Sequence, residues 1–389
     1  MKTSKISLIG HIFILTAFSF ITVCGDDSLK IKVTNPLDQS RINETVSVNL
    51  TELPSTARFT TGEISVFDEQ TEKFVLSQAI DNNGDGKNDE LIFQADFRAN
   101  QSKTFRISPN GEAPDVDLKV RTNAMFVPQR KDDFAWENDR IAFRMYGPEL
   151  QRTEMTSSGI DVWVKRAEYP VMEKLYAKGD AYYHTDNDMG FDFYTVGKSL
   201  GCGGLGAWHE NQVLQSENFA SWKIIANGPI RSIFELTYKP WDMGGKISGE
   251  TKRISIDLGS NFNKIQSTFD SDINEVILAV GIVKTANGGN AVFSDDKTTL
   301  AYWANPDPNN GTIGCAVILP QTAAGNQSAV TDNQNVLLTK LKDANSITYY
   351  TGACWSKSPE FNSEEKWQTY VKNKALMLEN PLKIEVLTK

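Results

Sequence analysis

From Leu29 onward the chain is written in short runs that alternate apolar and polar residues, and this period of two constrains its fold more than any other feature. Leu29-Lys30-Ile31-Lys32-Val33 and Thr45-Val46-Ser47-Val48-Asn49-Leu50 each place every second side chain on one face, as a half-buried strand requires. Several such runs, separated by turn residues, predict a small immunoglobulin-like β-sandwich over residues 26–114. Pro109-Asn110-Gly111-Glu112-Ala113-Pro114 has the composition of a linker. Over residues 119–389 the strands are longer and richer in aromatics. In residues 140–146, Ile141, Phe143 and Met145 share one face, and Arg140, Arg144 and Tyr146 share the other. The same alternation recurs in residues 160–164, 230–238, 252–258 and 264–269, which predicts a large antiparallel sandwich. The fold class is therefore all-β. One helix is expected near the end, with Asn362 as its cap, Glu365 three residues on, and a stripe of Trp367, Tyr370 and Val371. Pro381 then opens a last strand within the large sandwich.

Residues 1–25 read as a signal peptide: Lys2 and Lys5 precede an apolar run that ends at Cys24. Ile21-Thr22-Val23-Cys24 is similar to a lipobox, which would make Cys24 a lipidated first residue; ordinary cleavage before Asp26 is the alternative. Either route exports the protein, to the periplasm or to the outer membrane as a surface lipoprotein. The whole chain carries a formal net charge of −9, and loss of the two leader lysines makes the body more acidic still. Such a balance argues against nucleic acid as a partner. Cys202, Cys315 and Cys354 allow at most one disulfide, Cys315 with Cys354, and buried free thiols are the other reading.

Chemistry concentrates in one segment. His184 and His209 are the only histidines outside the leader, and between them stand Asp186, Asp192, Tyr194, Lys198 and Trp208, punctuated by glycines. General acids, cations, aromatics and glycines together mark a functional loop on a rigid scaffold. Aromatic faces such as Trp208 and Tyr194 suit sugar rings, and carboxylates suit hydroxyls. A metal held by His184, Asp186, Asp188 and Asp192 matches no ligand spacing, so direct acid–base work is preferred. A second cluster, Asp81-Asn82-Asn83-Gly84-Asp85-Gly86-Lys87-Asn88-Asp89, resembles a calcium loop with Asp81, Asn83, Asp85 and Asp89 as ligands. Ile92 stands where the closing Glu of an EF-hand belongs, so a structural calcium competes with a plain Asp/Asn/Gly turn. No cofactor is required for the chemistry.

Four segments in order carry a family likeness: Asp89-Glu90-Leu91-Ile92-Phe93-Gln94, residues 137–148 from Glu137 to Pro148, the stretch from Tyr183-His184 to Gly197, and Asn227-Gly228-Pro229-Ile230-Arg231-Ser232. Together they resemble the DUF4861 family. That resemblance implies a galactose-mutarotase-like super-sandwich for the large domain, a place in bacterial polysaccharide utilisation, and an activity like that of an ulvan oligosaccharide dehydratase. Such an enzyme removes water from a terminal uronic acid and leaves a 4,5-unsaturated sugar.

The elimination makes demands on side chains. Charge builds on the sugar carboxylate, so a cation must meet it, a base must reach the α-carbon, and an acid must protonate the departing hydroxyl. Arg144 or Arg231 is expected to pair with the substrate carboxylate, His184 to act as base, Tyr146 or His209 as acid, and Asp186 to orient an imidazole. Two alternatives stand beside this. A hydrolase would need a carboxylate pair such as Asp186 and Asp192, and a non-catalytic sugar-binding lipoprotein would need only Trp208 and Tyr194.

Overall fold

The computed structural model describes residues 28–387 except 54–58, 60, 110–120, 154–156, 322–324 and 342–343. The expected leader with Cys24, and most of the expected linker, lie outside the described residues. All named strands pair antiparallel, in five sheets.

The first two sheets form the small sandwich. One runs in the order Lys383–Leu387, Leu29–Thr34, Ser102–Pro109, Ile64–Asp68, Lys73–Val75, and the other in the order Arg41–Asn49, Glu90–Phe97, Ser77–Ile80. Alternate residues meet between them as the sequence requires: Ile31, Val33, Val46, Val48, Phe93, Phe105 and Ile107 are all buried in one core. The last strand corrects the expected boundary. Lys383–Leu387 pairs with Leu29–Thr34 and so belongs to the small sandwich. Without it Leu29–Thr34 would be an open edge, and edges left open invite stray pairing. The buried Arg41 guanidinium donates to the carbonyl of Asn380 and fixes the point where the chain returns.

The large sandwich sets an eight-stranded sheet against a layer of two five-stranded sheets. The eight strands run from Ser221–Asn227 through Arg231–Asp242, Ile247–Asp257, Phe262–Phe269, Ser346–Trp355, Ile313–Ile318 and Thr299–Ala304 to Gly289–Phe293. The facing layer holds the sheet from Gly190–Asp192 to Asn123–Val127 and the sheet from Gln212–Leu214 to Asn326–Val330, linked by a bridge between Ile160 and Gly201. Their shared core includes Phe134, Trp136, Phe143, Phe234, Ile254, Leu205 and Val317. The small sandwich docks on this body through a buried apolar cluster of Ile80, Ile92, Ile230 and Ile233 and through polar side chains beside it. Gln78 accepts from the N–H groups of Ile230 and Arg231 and donates to the Arg231 carbonyl, while Gln94 donates to the Leu258 carbonyl.

The late helix spans Glu364–Glu379, and Ser363 caps it rather than Asn362, its Oγ accepting the Lys366 N–H at 3.4 Å. Trp367, Val371 and Ala375 form its buried stripe and cover Phe262, Ala316, Ile318 and Cys354 on the outer face of the eight-stranded sheet. Of the two readings of the cysteines, the structure has the free thiols: Cys202, Cys315 and Cys354 are free and buried. Cys354 lies opposite Gly314 and Cys315 opposite Ala353, so the pleat sends one sulfur under the helix and the other into the main core.

Two short helices were not legible as a pair in the sequence: Met172–Lys178 and Asp180–Tyr183. Glu137 receives the N–H groups of Val171 and Met172 at the first helix's start and also binds Lys165 at 2.7 Å. Gly179, at φ +86°, turns the chain between the two helices in a conformation that other residues rarely adopt.

Candidate active site

The strand Ile141–Met145 is buried on both faces. Ile141, Phe143 and Met145 enter the main core, as their alternation predicts, and Ala142 and Arg144 face the two short helices. Arg144 lies opposite Asp161 on one neighbouring strand, Asp133 arrives from the neighbouring strand on the other side, and Asp192 from the strand beyond Asp161. A row of charge therefore crosses four strands. Arg144 Nε and Nη2 donate to Asp161 at 3.0 and 2.6 Å, Nη2 also donates to Asp192 at 2.8 Å, and Nη1 donates to Asp133 at 3.4 Å. Tyr146 donates to Asp161 at 2.9 Å, and the guanidinium stacks near Tyr146 and Trp163, each about 5.0 Å away.

One cation surrounded by three carboxylates cannot neutralise them all in a dry site. Burial, opposed only in part by Arg144 and Arg130, pushes the Asp133 carboxyl up to about 7. Burial and then the charge of Asp161 push Asp192 well above the usual carboxylate range, and the same two causes raise Tyr146. Strongly perturbed acids gathered beside an exposed histidine are the signature expected of a catalytic site.

His184 ends the second short helix, and its side chain is about half exposed (48%) while Asp192 beneath it is closed off (1%). The imidazole Nδ1 lies 3.3 Å from the Asp192 carbonyl oxygen and 3.6 Å from its carboxylate, and the ring rests against Tyr183 at 4.6 Å. Gly190 makes this approach feasible. A Cβ there would sit 2.3 Å from the Val164 carbonyl, so only glycine lets residues 190–192 pair closely enough to bring Asp192 to Arg144. Arg130, which the sequence did not single out, closes the group: it donates to Tyr183 at 2.9 Å, pairs with Asp180 at 3.3 Å, and has a buried Nη1 with no partner.

The structure thus brings together His184, Asp192, Arg144 and Tyr146, and corrects several expected roles. Arg144 cannot clamp a substrate carboxylate, because it is buried and its donors are taken by Asp133, Asp161 and Asp192. Asp186 does not orient an imidazole; Arg166 holds it in a bidentate pair at 2.7 and 2.8 Å, and Asp192 takes the place beside His184. With Asp186 on Arg166 and Asp192 on Arg144, the two are not the free carboxylate pair of a hydrolase. Tyr194 is buried, its hydroxyl 3.6 Å from Cys315 Sγ, and so offers no open ring face.

His209 lies on the hairpin between Cys202–His209 and Gln212–Leu214, beside Gly244 and 3.7 Å from Glu210, and shares no contact with His184 among the described residues. Trp208 packs partly buried against Leu200 and Val336, and Lys198 is exposed. Arg231 is on the outer face of the eight-stranded sheet, bound to Asp257 at 2.5 Å and Glu90 at 3.0 Å. The Asp81 loop folds on itself: Asp81 accepts from the N–H groups of Asn83, Gly84 and Gly86, Asn83 from Asp85, Asp85 from Lys87, and Asp89 from Asn82. Among the described residues no group of three or more His, Cys, Asp or Glu side chains is arranged to hold a metal.

The profile of a domain of unknown function, DUF4861, matches residues 33–384. The chain belongs to the DUF4861 family. This DUF4861 protein is 32% identical over 390 residues to the uncharacterized protein P7 of Formosa agariphila, with 96% of this chain and 98% of the other covered. Its fold is similar to that of a protein in the glycosyl hydrolase family 38 from Enterococcus faecalis, with a TM-score of 0.50 at 10% identity, over 93% of this chain and 48% of that one. An alpha-mannosidase from Enterococcus faecalis V583 aligns at a TM-score of 0.48 and 10% identity, over 93% of this chain and 46% of its own. The DUF4861 chain spans about half the length of these two structures, and at such identity the likeness is one of fold.

Proposed function

We propose that this protein is a carbohydrate-active lyase that removes water from the terminal uronic acid of an acidic oligosaccharide. The observation that carries the reading is the His184–Asp192–Arg144 arrangement: a half-exposed imidazole whose Nδ1 faces Asp192, which is itself fixed by a buried guanidinium. With Nδ1–H held on Asp192, the lone pair of Nε2 is left for a substrate proton. His184 takes the proton from the carbon beside the sugar carboxylate. The electron pair forms the new carbon–carbon double bond, and the neighbouring hydroxyl departs as water after protonation by Tyr146. Tyr146 has a proton to give, because burial and the neighbouring Asp161 carboxylate keep its phenol in the neutral form. Arg130, whose Nη1 has no protein partner beside Tyr183, is the cation assigned to the sugar carboxylate.

Support for a carbohydrate substrate comes from the family resemblance and from the glycosyl hydrolase fold shared at low identity. The test is incubation with a panel of oligosaccharides ending in uronic acids. Mass spectrometry reads the loss of one water, and ultraviolet absorbance reads the conjugated double bond. His184→Ala is expected to lower turnover by about 10²–10⁴-fold with folding unchanged. Full activity in that variant would remove His184 from the mechanism, and new reducing ends without absorbance would identify a hydrolase instead.

A further inference from the structure

A cleft of about 890 Å³ opens far along the chain's topology from His184, where the small sandwich, the outer face of the eight-stranded sheet and the terminal helix meet. Its volume falls within the about 300–1,000 Å³ range of sites for small ligands, and such sites favour domain junctions. Ile42, Asn43 and Thr45 form one wall, Lys264 and Tyr350 the floor, and Tyr370, Asn373 and Lys374 the helical wall.

The charges of this cleft are sorted unevenly. Arg140 pairs with Glu360, and Arg231 pairs with Asp257 and Glu90. Glu44 is engaged by Arg41. Lys264, Lys366 and Lys374 remain, and their ammonium groups make no ion pair among the described residues, against the lone uncommitted carboxylate of Glu365. Three lysines without an ion-pair partner thus line one concavity, with Lys374 also within electrostatic reach of Asp257, on a chain whose net charge is −9. An anionic ligand would supply the partner that these ammonium groups lack.

The remaining lining has the chemistry that suits a sugar. Lys264 stands opposite Ser255 on one neighbouring strand and Tyr350 on the other. The Tyr350 ring is half buried, and Lys374 is close enough to act on both Tyr350 and Asp257. Tyr370 is held by stacking on Phe262 at 5.8 Å and by accepting the Asn261 N–H at 3.2 Å. Rigid aromatic faces, hydroxyls, an amide and unpaired ammonium groups together recognise a ligand with ring faces, many hydroxyls and negative charge.

We propose that this cleft is a second binding site, separate from the His184 centre, for an anionic oligosaccharide carrying carboxylates or sulfates. It stands whether or not His184 is the base, since no residue is shared between the two places. The experiment is calorimetric titration of the full chain with an oligogalacturonate tetramer, a heparin tetrasaccharide and neutral maltotetraose. The first two separate carboxylate from sulfate recognition, and the third controls for ring contacts alone.

Binding of at least one acidic probe, weakened by salt and reduced about tenfold or more in Lys264→Glu/Lys374→Glu but retained in His184→Ala, is the expected result. If the charge-reversed chain does not fold, Lys264→Gln/Lys374→Gln serves in its place. The proposal is overturned if neither acidic probe binds, if maltotetraose binds as well as they do, or if the lysine variants bind like the parent. Binding lost in His184→Ala but kept in the lysine variants would assign the ligand to the other site and overturn it equally.

Discussion

Asp133→Asn tests the electrostatic reasoning most directly. Asp133 has no solvent exposure; its Oδ2 receives Arg144 at 3.4 Å and Tyr176 at 3.5 Å, and its Oδ1 has no partner. Its carboxyl titrates near 3.8 in the unfolded chain and, through burial, at about 7 in the folded one. Between those values the native state keeps a proton that the unfolded state has released. The native form binds more protons, so this group makes stability fall as pH rises through the window, and its contribution is intact only below about pH 4. At about 1.36 kcal/mol per pH unit, a gap of about three units amounts to about 4 kcal/mol.

Asparagine cannot ionise and removes that slope. Its amide N–H groups bring a pH-independent cost of about 1–3 kcal/mol for an unmet donor, which displaces the whole curve without tilting it. The unfolding free energy of Asp133→Asn relative to the parent is therefore expected to rise by up to about 4 kcal/mol from pH 4 to pH 7 and then to level off. Urea denaturation of both chains across that range, followed by the fluorescence of buried Trp136 and Trp163, measures it. A difference that stays constant from acid to neutral pH would refute the claim that Asp133 is held protonated by burial.

Two further outcomes follow from the packing. Trp367→Ala removes a fully buried ring that stacks on Phe262, meets Phe361 edge-on and donates its Nε1–H to the Cys315 carbonyl, so a loss of about 3–5 kcal/mol in denaturant unfolding is expected; a loss under about 1 kcal/mol would mean that the terminal helix is not packed as described. Dithiothreitol is expected to leave the melting temperature unchanged, because Cys202, Cys315 and Cys354 are buried thiols; a drop of several degrees would reveal a disulfide.

The candidate site was half legible. Arg144 and Tyr146 on one strand face, and the histidine-bearing loop, could be read from alternation and composition. The loop's partner assignments could not. Asp186 and Asp192 are both near His184 in sequence, and only the pairing of Gly190–Asp192 with Asp161–Lys165 decides that Asp192 turns inward to Arg144 while Asp186 turns outward to Arg166. Arg130 gave no signal because it lies in a short 3₁₀ turn, and its relation to Tyr183 exists only across the fold. Spacing did offer a hint of the covering helices, since Val171, Met172, Leu175 and Tyr176 recur at helical intervals.

By itself the sequence determined the strand character of runs such as Leu29–Thr34, Arg231–Asp242 and Phe262–Phe269 and which of their side chains alternate toward a core, because side-chain direction along a strand alternates with no help from the rest of the molecule. Sheet membership, the return of Lys383–Leu387 to the first sandwich, the separation of Arg231 from His184 and the burial of Arg144 were decided only in the tertiary structure. The reason is that these depend on which edges pair across hundreds of residues, and a local pattern that is satisfied by any apolar neighbour carries no record of which neighbour it meets.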